Sequence, residues 1–191
     1  ANNTIALTID DLDVQGTISS GASSTTITDS DGDGIGLGDT PVVGGLNISD
    51  SDLDPFTTTG LTLQTSGQII VDNLSQPVNI AGTTTLDAGT TISFSNNASS
   101  FNSLIANADD GISVDANVTT TSGDLLIDGN SDGDVDATAH VPFIAGAQLQ
   151  SAGQMTLRAS TGGLSGAGPL TLLAADGINI DHSLSTNGTL T

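Results

Sequence analysis

Two short acidic stretches carry residue types and spacing suited to a hard cation. Asp29-Ser-Asp31-Gly-Asp33-Gly34 reads D-x-D-x-D-G. Asp128-Gly-Asn130-Ser-Asp132-Gly133, running on to Asp134 and Asp136, reads D-x-N-x-D-G. Calcium takes six to eight oxygen ligands at ~2.4 Å, and carboxylates alternating through a tight glycine turn supply several of them. Asp39 lies close enough along the chain to add a ligand to the first stretch. Neither stretch completes an EF-hand, because the twelfth positions are Thr40 and Ala139 rather than Glu. The expectation is a structural Ca2+ in loops inserted between repeats, near residues 29–40 and 128–140. The Asp10/Asp11/Asp13 and Asp50/Asp52/Asp54 clusters are weaker candidates of the same kind. A solvated acidic turn is the alternative reading for each.

Other chemistry is poorly provided for. There is no Cys and no Lys, which excludes thiolate metal sites, cysteine catalysis, a phosphate-binding loop lysine and a lysine Schiff base. His140 and His182 occupy unrelated repeat positions, and surface histidines account for them best. Polysaccharide lyases need a cationic group against an acidic sugar, and Arg158 is the only Lys or Arg on a chain of net charge −21. Glycoside hydrolases set paired carboxylates beside aromatic platforms, yet Tyr and Trp are absent. No catalytic residue is assigned. The consecutive threonine runs 57–59, 83–85 and 119–121 lack the flat T-x-T array of an ice-binding face.

The composition dictates how any site is held. Hydrophobic residues make up 36% of the 191, but only four are aromatic: Phe56, Phe94, Phe101 and Phe143. A core without large rings must be thin and filled by Ile, Leu, Val and Ala in rows. Glu and Lys, both good helix formers, are missing. Thr, Ser, Asn, Asp and Gly, which favour strands and turns, dominate. So negative a surface repels nucleic acid and anionic membranes. No apolar run approaches the ~20 residues of a membrane span.

The apolar residues alternate in brief runs: Ile5-Ala-Leu7-Thr-Ile9, Leu46-Asn-Ile48, Leu61-Thr-Leu63, Ile69-Ile-Val71, Val78-Asn-Ile80, Ile112-Ser-Val114, Leu125-Leu-Ile127, Met155-Thr-Leu157 and Ile178-Asn-Ile180. Gly, Asn, Asp or Ser flanks each one, and no helical periodicity survives. Asp110-Gly-Ile-Ser-Val-Asp aligns with Asp176-Gly-Ile-Asn-Ile-Asp, which puts His182 in the slot of Ala116 and implies three coils of about 22 residues between them. Such a repeat cannot bury its apolar side alone, so coils must stack. The expected architecture is all-β, a parallel β-solenoid of about 8–9 coils of roughly 20–24 residues, ~40 Å long, in one domain over 1–191. Outward Thr, Ser and Asn would form hydrogen-bonding ladders, with Gly and Asn at corners of positive φ. The chain starts without Met, and joining Gly188-Thr-Leu-Thr191 to Ala1-Asn-Asn-Thr-Ile5 continues the repeat. It reads as a piece of a longer array, or as a unit that meets its neighbours end to end.

Residues 44–74, with Gly45-Leu-Asn-Ile-Ser-Asp-Ser-Asp-Leu53, then Thr58-Thr-Gly-Leu-Thr-Leu63, then Gly67-Gln-Ile-Ile-Val71, resemble the repeats of filamentous-haemagglutinin-type bacterial adhesins. The units from Asp110 and Asp176 resemble the commoner coils of the same family. The resemblance is one of repeat style over most of the chain. It implies a right-handed parallel β-helix, export to the extracellular side or cell surface, and a role in attachment, matrix or filaments. The expected protein is a structural or adhesive shaft segment, with neighbouring copies or flanking repeats as end-to-end partners and host or matrix glycans as candidate ligands. A filament protomer is the alternative, and a carbohydrate-active β-helix enzyme a remote one.

Overall fold

In a computed structural model that describes residues 2–76, 79–135 and 139–191, the chain winds into a parallel β-helix with three sheets. The first sheet runs the length of the molecule. Its successive partners are Ile5, Thr25, Leu61, Thr84, Leu104, Leu125, Met155 and Ile178, every pair parallel. Those residues fix coils of 20, 36, 23, 20, 21, 30 and 23 residues. The second sheet has eight strands, from Leu46–Ile48 at one edge to Leu184–Thr186 at the other. The third has four, from Ser99–Phe101 to Leu170–Ala174. The expected parallel β-solenoid therefore holds, with eight rungs in the first sheet among the described residues, while two coils, of 36 and 30 residues, exceed the expected 20–24.

Alternation produces the core. In the first sheet Leu7, Ile27, Leu63, Leu86, Ala106, Ile127, Leu157 and Ile180 lie one above another. All from Ile27 to Leu157 are fully buried. In the second sheet Ile69, Ile92 and Ile112 form one column, and Val71, Phe94, Val114 and Phe143 the next. The third sheet contributes Phe101, Val118, Leu149 and Leu172. All four phenylalanines are inside, so the scarce rings fill the centre of a thin shaft.

The corners are polar. Asn73 and Asn96 adopt left-handed φ of 56° and 55°, as the Asn-rich bends required. Hydroxyls close the turn into the first sheet. Thr58 Oγ1 donates to the Gly60 carbonyl at 2.8 Å, Thr120 Oγ1 to that of Gly123 at 2.6 Å, and Ser151 Oγ to that of Gln154 at 3.0 Å. These hydroxyls also stack between coils: Ser20 Oγ donates to Thr58 Oγ1 at 2.9 Å, and Thr120 Oγ1 lies 3.4 Å from Ser151 Oγ. Part of the expected polar ladder is thus buried inside the corner, with Ser20, Thr58, Thr120 and Ser151 all at most 3% exposed, and three of these hydroxyls satisfy turn carbonyls. An outward rung also occurs, with Ser113 Oγ donating to Ser93 Oγ at 2.9 Å.

Three features depart from a simple stack. First, the units from Asp110 and Asp176 do not lie on the same face. Ile112–Val114 belongs to the second sheet and Ile178–Ile180 to the first. Both begin with a glycine of similar φ, 120° at Gly111 and 111° at Gly177, so the local sequence is alike while the face differs. His182 is therefore not the equivalent of Ala116. Second, the chain reverses after Ile35–Gly38: Leu46–Ile48 pairs in parallel on the near side of that strand (Ile35 with Leu46, Leu37 with Ile48) instead of rising to the next coil. The long second coil is consumed by this detour over residues 39–55, so its extra length lies mostly beyond the Asp29 turn. Asn47 ties the detour, with its side chain bonded to Val42 N–H at 2.7 Å and to the Gly45 and Val42 carbonyls. Gly36 opposite has no room for a Cβ against Asn47 and the Thr40 carbonyl. Third, a single helical turn, Asp50–Leu53, exists despite the helix-poor composition. The Asp52 carboxylate accepts from Ser49 N–H at 2.8 Å and Ser49 Oγ at 2.6 Å, a local cap that overrides propensity.

The column assignment is testable by substitution. Leu86→Ala is expected to lower unfolding free energy in urea by about 2–5 kcal/mol. Thr85→Ala, its half-buried neighbour on the outer side, is expected to stay within about 0.5 kcal/mol. Similar losses at both positions would contradict the inside and outside faces.

Candidate functional site

The acidic residues divide into three corner arrangements. The first lies where the Ser24–Asp29 strand turns towards Ile35–Gly38. Asp29 is paired in register with Ile9 of the coil below, an inward position, and is 6% exposed. Its Oδ2 accepts from Gly34 N–H at 2.9 Å and from Thr65 Oγ1 of the coil above at 2.8 Å. Its Oδ1 is buried and accepts nothing. Asp31, exposed, folds back with its Oδ1 taking the Asp33 N–H at 3.2 Å. Asp10, just past the Ile5–Ile9 strand, comes up from the preceding coil. One carboxylate oxygen from each of Asp10, Asp29 and Asp31 falls within 4.8 Å of the others. The Asp31 charge beside Asp10 pushes the Asp10 carboxyl above its ordinary value, whereas the Asp33 N–H holds that of Asp31 below it. The sequence motif thus supplies two of the three members. The other expected ligands go elsewhere: Asp33 lies exposed outside the trio, and Asp39 accepts from Asn73 Nδ2 at 2.7 Å.

The second acidic stretch is arranged differently. Asp128 is buried, and its Oδ2 receives Arg158 Nε at 2.7 Å, so the chain's one Lys or Arg is spent on it. Asn130, also buried, turns its amide to Thr161 Oγ1 at 2.6 Å and the Asp134 carbonyl at 3.0 Å, and its oxygen takes Gly133 N–H at 2.9 Å. Asp132 and Asp134 point to solvent. Asp136 lies outside the described residues. These atoms bond one another instead of converging on a common point. A surface groove beside them brings Asp128 and Arg158 together with Asp181 and His182 of the next coil.

The third arrangement has no motif behind it. Buried Asp72 ends the Ile69–Asp72 strand and accepts four hydrogen bonds from two other coils. Thr40 Oγ1 reaches it at 2.5 Å from below, and Asn96 Nδ2 at 2.9 Å, Asn97 N–H at 3.0 Å and Asn97 Nδ2 at 3.1 Å from above. The Thr40 and then the Asn96 bond hold its carboxyl below the ordinary carboxylate range. Register alone could have found this cluster, since its members are one coil apart rather than near in sequence. The same reasoning finds Asp10, which lies one 20-residue coil below the Asp29 turn.

Fold and corners together define an acidic parallel β-solenoid cross-tied by carboxylates at its turns. No protein-family model matches the chain, and no curated protein or solved structure is significantly similar to it.

The Asp72 knot has a definite pH signature. Its contribution is full above the ordinary carboxylate value, near 3.8, and is lost as pH falls through the lower folded value, because the unfolded state then binds more protons. Asp72→Ala is expected to destabilise the protein at neutral pH and to flatten the acid limb of its stability curve, read by urea unfolding across pH. An unchanged acid limb would remove Asp72 from the account.

Proposed function

We propose that this chain is a shaft segment of a large secreted surface protein, a rigid spacer that carries an adhesive element away from the cell. The observation that supports it is the unbroken run of aliphatic columns. Coil length varies from 20 to 36 residues, yet the Leu7-to-Ile180 column is not interrupted. Rigidity along the axis is what such a design preserves, while the flanks carry short polar side chains. The charge of −21 keeps neighbouring shafts apart and soluble. Filamentous-haemagglutinin-type repeats, whose style the sequence resembles, serve this role at bacterial surfaces.

A second reading rests on one surface. Ile178, Ile180 and Leu190 on the last coil are 43%, 36% and 50% exposed, beside a strand edge that accepts a further parallel rung. A second copy stacked there would make the chain a filament protomer. Electron microscopy of the purified native material separates the two. Shafts remain rods of one length at every concentration, whereas protomers grow into indefinite fibres that Ile178→Asp abolishes. Compact particles without an elongated form would overturn both readings.

A further inference from the structure

We propose that Asp10, Asp29 and Asp31 form a calcium site that clasps the first coil to the second. Three carboxylates within 4.8 Å repel one another, and none brings a donor to the centre of the group. The second stretch offers a contrast, since there Arg158 balances Asp128. The decisive atom is Asp29 Oδ1. It belongs to a side chain that is 6% exposed, it accepts no hydrogen bond, and the carboxylate's other oxygen is already fixed by Gly34 and Thr65. A buried charged oxygen left without a partner is costly. A cation between it and the two exposed carboxylates supplies that partner and cancels the repulsion.

The chemistry favours calcium over magnesium. Calcium accepts irregular sets of hard oxygens with water completing the shell, whereas magnesium demands near-octahedral geometry at shorter distance. One buried and two solvent-facing carboxylates from two coils make an open, irregular set. Asp11 and Asp13 of the neighbouring cluster are engaged locally, accepting from Leu12 N–H at 3.0 Å and Gln15 Nε2 at 2.6 Å. The coils are joined here by the Ser30 N–H bond to the Ile9 carbonyl at 2.9 Å. A cation held by Asp10 below and Asp29 and Asp31 above spans that same junction.

The test uses the 191-residue chain, stripped of metal, with calcium chloride as titrant at about 0.15 M salt to screen diffuse binding. Calorimetry is expected to give one saturable site with Kd on the order of 10⁻⁴–10⁻³ M. Asp10→Asn and Asp31→Asn, both at exposed positions, should each weaken it about tenfold or more, which is ~1.4 kcal/mol. Asp176→Asn, exposed and remote, should leave it unchanged. Hydrogen exchange of Ser30 N–H should slow on adding calcium in the unsubstituted chain and not in Asp10→Asn, a readout independent of any adhesive or filament role. Equal binding by all four proteins, a non-saturating titration, or magnesium binding as tightly as calcium would overturn the assignment.

Discussion

Everything in this molecule depends on parallel, in-register stacking of one coil on the next. An inward side chain is shielded by the residues at its own position one coil away, so neighbours in a column must fit each other. The second sheet illustrates the constraint. Its inner column runs Ile48, Leu37, Val71, Phe94, Val114, Phe143, Gly166 and Thr186. Each ring stands between smaller residues, and Gly166 sits directly beside Phe143. Interiors packed to crystalline density leave no slack for two large rings in succession. The thin core foreseen from composition shows in this column, whose two rings are kept one rung apart by Val114.

The same rule governs polar groups, with a harsher penalty. A carboxylate brought to a corner is desolvated by the coil above as well as by its own turn. Three buried aspartates reach three different solutions. Asp128 takes the single arginine; Asp72 is enclosed by one threonine and two asparagines from other coils; Asp29 secures one oxygen with an amide and a hydroxyl and leaves the other bare. Without Lys, and with one Arg, the chain has little choice but neutral donors or a borrowed cation. Its abundance of Thr, Ser and Asn is therefore structural currency at corners as much as a surface coating.

What could be read in advance follows from which features are local. Alternating runs such as Leu61-Thr-Leu63 and Met155-Thr-Leu157 announce strands, and positive-φ corners at Asn73 and Asn96 follow from residue type. Val78-Asn-Ile80 is a run whose first residue lies outside the described residues. Which face a run occupies is not local. Gly111-Ile112 and Gly177-Ile178 share conformation and pattern yet sit on different sheets, because coil lengths between them differ. The acidic corners divide the same way. Asp29 and Asp31 were visible through motif spacing, whereas Asp10 joins them only through register. Asp39 and Asp33 satisfied the spacing and point elsewhere. The Asp72 knot, assembled from residues 24 to 32 apart in sequence, left no linear trace at all.

The reversal at residues 39–55 illustrates how an irregular insertion can serve the regular stack. Residues 10–17 of the first coil form no strand, so the second sheet would begin with an uncovered Ile35 and Leu37. The returning segment lays Leu46 and Ile48 against them and brings Leu53 and Phe56 in behind, all within 1% of full burial. Burying four such side chains is worth roughly 1.5–3 kcal/mol each, which offsets part of the entropic cost of ordering the connection that Asn47 braces. The chain then rejoins the ordinary path where Phe56 pairs with Ile18, so the next coil starts in register. Insertions in this fold are tolerated at corners because the columns constrain only strand positions, and this one also covers the rung that the first coil lacks.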